Sequence, residues 1–265
     1  GTDLIPRDYP ASYSEHFSIG VQREVLRDLV VSGDFVFRQF IHQLFDPIDY
    51  NRFQRQRSPT GGREPVMPEC RGAEGDNPKA LCSKGSISFW TPAERSNYRA
   101  LLLKVDKRFS HRYQFTSSYA LAERKGVNGI VNLDNWFQSW GPQGSRHTWG
   151  ISGIVDLPWK FQVSFISAIG TKGPVMPGIG GIDLDGDGSS SEPLPGAKHN
   201  GFNRGLGKSD LSRLVEQFNQ TLAGTRTPRN QTVPRLTVPA SYEFGDNSYS
   251  QDLRVTKTFQ FRERY

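Results

Sequence analysis

No run of apolar residues in this chain approaches the roughly 20 that a membrane helix needs, which excludes a helical span. Apolar residues are scarce altogether. They fill 35% of 265 positions, and the mean hydropathy is −0.58. A soluble chain of this length normally holds more to build its core. Cysteine is nearly missing. Its two copies, Cys70 and Cys82, share one polar segment rich in proline and glycine, with no histidine beside them. That excludes a four-ligand zinc site. A loop disulfide in an oxidising compartment fits the pair, with two free thiols as the alternative.

Lysine and arginine form no block. The net charge of +6 and pI of 9.4 therefore describe a basic surface and do not point to a nucleic-acid partner. Catalytic patterns are missing too. No G-x-S-x-G occurs, and the five histidines are scattered. Gly207-Lys208-Ser209 fails as a phosphate loop because the upstream glycine position is Phe202. The chain is expected not to be an enzyme.

Aromatics, in contrast, are plentiful at 12%. They take part in an alternation of apolar and polar residues that recurs along the chain. Phe17, Ile19 and Val21 alternate with His16, Ser18 and Gln22. Phe35, Phe37 and Ile41 oppose Asp34 and Arg38. Leu101, Leu103 and Val105 oppose Lys104 and Asp106. The pattern returns at Phe115–Leu121, Trp149–Leu157, Phe161–Phe165 and Leu253–Phe259. Strand side chains point alternately to opposite faces, so each stretch has one apolar and one polar side. This predicts strands near 14–25, 29–44, 97–109, 113–122, 148–157, 160–169 and 250–261.

The predicted links alternate in length. Tight turns fall near Arg27, His111 and Pro158, and long links span 45–96, 123–147 and 170–249. Structureless loops this long are uncommon in compact soluble domains. Short turns alternating with long loops are the habit of an outer-membrane barrel, turns on the periplasmic side. The expected fold is all-β: an antiparallel up-and-down transmembrane barrel segment of about seven strands, in one domain. Phe109, Tyr113, Trp159, Phe161, Phe261 and Tyr265 flank the short turns, as interface aromatics do. Residues near Glu263 read as a fourth turn, so the chain is expected to be cut at both ends.

Two features sit in the last long link. Asp183, Asp185 and Asp187 at i, i+2 and i+4, followed by Gly188, match the start of a calcium loop. The match is partial. The twelfth position is Leu194, and the nearest acid is Glu192. Calcium and a solvated acidic turn both remain open. Further on, Leu211, Leu214, Val215, Phe218 and Leu222 predict an amphipathic helix over 209–223, with Ser209 as its cap and Gly224 as its end.

Tyr13–Arg23, Leu101–Phe109 and Asp252–Phe259 resemble the barrel of TonB-dependent receptors, in particular the Oar-like subgroup with a carboxypeptidase-regulatory-like domain. Asp156-Leu157-Pro158-Trp159 and Asn200–Gly205 are similar to turns and loops of that subgroup. The resemblance runs from about Tyr9 to Tyr265 and implies the C-terminal part of a barrel of about 22 strands around a plug. It implies solute import across the bacterial outer membrane, powered by a TonB complex that acts through a plug this chain lacks. Phe35, Phe37, Ile151 and Phe165 would then face lipid. Asp34, Arg38, Lys104, Asp106 and Arg254 would line the lumen. A barrel used for adhesion through its loops and a soluble secreted calcium-binding β-sandwich are the alternatives.

Overall fold

A computed structural model describes residues 2–5, 7–44, 48–49, 70–82, 87–92, 94–127, 139–186 and 190–259. Seven long strands form the body. They are β1 (Tyr13–Leu26), β2 (Leu29–Gln43), β3 (Glu94–Ser110), β4 (Tyr113–Val127), β5 (His147–Leu157), β6 (Phe161–Gly170) and β7 (Ser248–Lys257). Every strand pairs antiparallel with the next in sequence, so the sheet is an uninterrupted meander with β1 and β7 at its edges. A short strand, Trp140–Gln143, extends it by pairing with the end of β4.

The short turns close as the alternation predicts. Leu26 pairs with Leu29, Ser110 with Tyr113 and Leu157 with Phe161. His111 and Arg112 both take positive φ, 53° and 72°, the backbone a two-residue hairpin needs to match strand twist. Trp159 and Lys160 do the same at the third turn. The fourth turn, near Glu263, lies outside the described residues.

Two strands run further than the alternation suggests. β4 continues past 122 to Val127, and β3 begins at Glu94. There both faces carry polar side chains, so the period-two signal fades. The ladder persists, with Arg99 opposite Glu123 and Asn97 opposite Lys125. In the first long link, Ile48–Asp49 and Ile87–Phe89 form a small sheet with Thr2–Leu4. Cys70 and Cys82 are joined as a disulfide beside a short 3₁₀ turn, Gly72–Asp76.

The buried apolar core is not in the sheet. Its cluster of Ile179, Ile182, Leu194, Phe202, Leu211, Leu214, Phe218, Val233 and Phe244 lies wholly between β6 and β7. That link is a folded module containing one helix, α1 (Lys208–Thr221), whose apolar face supplies Leu211, Leu214 and Phe218. The sheet is a single layer, and among the described residues no second sheet packs on it.

Candidate functional site

Strand register decides what each face of the sheet presents. Ile19, Phe35, Leu101 and Leu121 fall in one cross-strand row. Val155, Val163 and Val255 fall in another. Most apolar residues of the seven strands therefore share one face, while Val30, Val36, Phe40, Leu102, Ile154 and Ile166 fall on the other. The shared face is open: Phe17 is 56% exposed, Ile19 64% and Leu253 67%. In water such a surface would be costly at about 25 cal/mol per Å² of apolar area. Against hydrocarbon it costs nothing, since every interior strand already satisfies its own backbone.

The ends of this band carry aromatics. Towards the long loops, Tyr119, Trp149 and Tyr249 lie in one register row through Ile169. The Trp149 indole N–H donates to the Ser117 hydroxyl at 2.9 Å, and the Tyr119 hydroxyl lies 2.7 Å from His147 Nδ1. Towards the short turns stand Tyr113, Phe115, Phe161 and Phe259, with Trp159 83% exposed at a turn tip. Two lysines bend back over these rings. Lys107 Nζ sits 4.9 Å from the Tyr113 centroid, and Lys257 Nζ 4.7 Å from that of Phe161. Lys107 also donates to the Arg108 carbonyl at 2.7 Å and to the Ser110 hydroxyl. An apolar stem with its charge carried to the boundary is how lysine settles at an interface.

The opposite face is polar. Asp34, Arg38, Lys104, Asp106 and Arg254 all fall on it by register. Lys104 and Asp106 form an ion pair at 2.6 Å, and the Thr116 hydroxyl donates to Asp106 at 2.7 Å. The Arg38 guanidinium lies 5.7 Å over Phe40. At Gly20 the missing side chain makes room for the Asp34 carboxylate, which a Cβ there would strike. The polar face is also the concave one. A hollow of about 890 Å³ is lined by Gln22, Asp106, Gln114, Thr116, Ser152 and Arg254, among others. Gln22 is on β1 and Arg254 on β7, so the sheet curls enough for its two edges to share one hollow.

The β6–β7 module rests on the link between β4 and β5. Asn200 Nδ2 donates to the Pro142 carbonyl at 3.1 Å. The Arg204 guanidinium donates to the carbonyls of Gly144 at 2.6 Å and Lys172 at 3.2 Å. Burial and the nearby Arg146 charge lower the Arg204 pKa. His199 lies against Gly141, and burial holds its imidazole below the ordinary histidine pKa. Ser209, the expected helix cap, is not the cap. α1 starts one residue earlier, from Gly207, whose N–H donates to the Asp210 carboxylate at 2.9 Å. An acid three residues into the helix reaches back further than the hydroxyl can. That bond, with Arg213 alongside, lowers the Asp210 pKa, and the Lys208 ammonium lowers that of Glu243.

Of the three aspartates of the calcium pattern, Asp187 lies outside the described residues. Asp183 and Asp185 converge with Glu192, their carboxylate oxygens within 4.8 Å of one another. Glu192 comes close because Gly178–Gly180 pairs with Ser191–Pro193 and folds the loop back. Sequence spacing registered Glu192 only as the nearest acid, because a hairpin rather than a twelve-residue loop brings it in. Hard oxygen donors at this spacing can hold a divalent cation. One carboxylate is already engaged: Arg229 Nε lies 2.6 Å from Asp183. Spacing gave no sign of Arg229, nor of Asn200 and Arg204, whose partners lie far along the chain.

A family model described as an outer membrane beta barrel domain matches residues 2–265. No curated protein and no solved structure matches the chain.

Proposed function

The chain belongs to the outer membrane β-barrel domain family, and from that premise we propose that it forms part of the barrel wall of a TonB-dependent transporter importing a solute. Membership puts the chain in the bacterial outer membrane. There the continuous apolar face meets lipid, and the short turns lie on the periplasmic side. The polar concave face carrying Lys104, Asp106 and Arg254 is the single observation that best supports a lumen through which polar matter passes. The resemblance to Oar-like receptors supplies the direction of transport and its energy source. The proposal includes no catalysis. Its solute is bound through lumen and loop groups, and TonB engages a plug encoded elsewhere in the full-length protein.

The test is the full-length reading frame together with TonB contact in living cells. A plug with a TonB box ahead of this barrel, and site-specific cross-links from that box to TonB, are the expected results. A frame that encodes barrel and loops alone would end the transport reading.

A second reading has one observation in its favour. Gln22 and Arg254, at opposite edges, line a single hollow, a tighter curl than a wall of about 22 strands needs. A narrower barrel holds no plug and would serve surface binding through its folded loop. Mass per barrel and strand count from an experimental full-length structure separate the two.

A further inference from the structure

The β6–β7 module contains a hollow of its own. Gly178–Gly180 pairs with Ser191–Pro193, which brings Glu192 to one wall. The Leu194 N–H donates to the Pro177 carbonyl at 3.1 Å, and the Ala197 N–H to the Leu194 carbonyl at 3.0 Å. Gly196 takes a φ of 80°, so the chain turns tightly and His199 returns to the same hollow. Asp185 lines it from an exposed position, whereas Glu192 is 5% exposed. Met176, Leu184, Leu194 and Ala197 add an apolar lining. The volume is about 310 Å³, several times the roughly 30 Å³ share of one water. Both ring nitrogens of His199 are buried and make no hydrogen bond among the described residues. Polar atoms in that position call for a partner from outside the chain.

We propose that this hollow binds a small aliphatic amine that carries a hydroxyl group, its ammonium on the carboxylates of Asp185 and Glu192 and its hydroxyl on the His199 imidazole. Each carboxylate has about four lone-pair sites, so it can accept from an ammonium beside its other bonds. Burial keeps His199 below the ordinary histidine pKa, so near neutral pH the ring is uncharged and does not repel the cation. A neutral imidazole offers one N–H and one lone pair, and a hydroxyl can answer either. The carbon chain between the two polar ends covers Met176, Leu184 and Leu194. A lone metal ion at the carboxylates would leave the apolar lining and the imidazole unused. The inference rests on the module alone, so it stands or falls independently of TonB.

The test uses the full-length protein in detergent micelles, with 6-aminohexan-1-ol as the probe and empty micelles as the blank. Ligand-observed NMR titration compares it with hexylamine, which lacks the hydroxyl, and with 1-hexanol, which lacks the charge. Wild-type protein should bind the amino alcohol at least about ten-fold more tightly than 1-hexanol and about five-fold more tightly than hexylamine. D185N, at an exposed position, should weaken both amines about five-fold. H199F should abolish the preference for the amino alcohol and leave hexylamine binding unchanged, which also shows that the hollow is still formed. Equal binding of 1-hexanol and the amino alcohol by wild-type protein overturns the proposal without any variant. So does unchanged binding by D185N. An equal fall for both amines in H199F overturns it too, because the imidazole would then shape the hollow without meeting the hydroxyl.

Discussion

Gly141 and His199 are in such close contact that a Cβ on Gly141 would come within 2.6 Å of the His199 carbonyl oxygen. The two residues belong to different long links, and their contact seats the β6–β7 module on the β4–β5 link. Gly141→Ala is expected to push the module off that seat. Overpacking of this kind costs about 1–3 kcal/mol. Hydrogen exchange should quicken in residues 198–206 and 140–144, while the amides of β1–β3 keep their protection. Unchanged exchange would mean that the contact does not hold the module.

The module should unfold separately from the sheet, because among the described residues it alone carries a closed apolar core. Phe202 is wholly buried there, 4.9 Å from the Phe244 ring. Phe202→Ala should destabilise the module by about 3–5 kcal/mol. Limited proteolysis of detergent-folded protein reads this out: cuts within 171–247 should appear, and the strand pairs should survive. Loss of the whole barrel would show the two to be one cooperative unit.

Leu102 and Leu103 are neighbours on opposite faces. Leu103 stands between Gly33 and Tyr119 on the apolar side, and Leu102 between Asp34 and Ala120 on the polar side. Leu103→Arg should cost about 2–4 kcal/mol in the membrane and impair assembly. Leu102→Arg should be tolerated. Phe37, opposite Arg99 near the outer rim, should accept arginine at about 0–1 kcal/mol. Heat-modifiable mobility on gels measures assembly in each variant. The reverse order for the two leucines would invert the assigned facing.

Acid should loosen the module through His199. Its folded pKa lies below the ordinary value of 6.5 because burial penalises the charged ring. The unfolded chain therefore takes up the proton first. Stability from this group is full above pH 6.5, falls as pH drops through that value and levels off below the folded pKa. Asp185 and Glu192 line the same small hollow as His199, so His199→Gln is the control that isolates the imidazole. Urea unfolding of the module across pH 5–8 should show a step in the wild-type protein that this variant lacks.

The carboxylates of Asp183, Asp185 and Glu192 set up a competition between a divalent cation and the Arg229 guanidinium. Arg229→Gln should strengthen calcium binding several-fold, since it removes the cation that already holds the buried Asp183 carboxylate. Calorimetry on both proteins measures it. The absence of heat from either at millimolar calcium would reduce the cluster to an ion-paired acidic turn.

Much of this was legible in the chain itself. The period of two in Phe17-Ile19-Val21 and its six counterparts gave strand number and facing, since side-chain alternation is a local property of the backbone. The alternation of turn and loop lengths gave the order of pairing. The spacing of Leu211, Leu214 and Phe218 gave the helix, because its apolar side must be covered. These readings used residues a few positions apart. Strand ends beyond Leu121 escaped them, because cross-strand ion pairs leave no period to detect.

What the tertiary structure alone decided lies at longer range. It gave the register that lines Ile19, Phe35, Leu101 and Leu121 into one row, and the curl that brings Gln22 and Arg254 to a common hollow. It also gave the burial of Phe202 in a folded module where a long loop with one helix was expected, the hairpin that carries Glu192 to Asp183, and the arginine that arrives there with it. Each joins residues through space, where pairwise contacts and not sequence spacing set the energy.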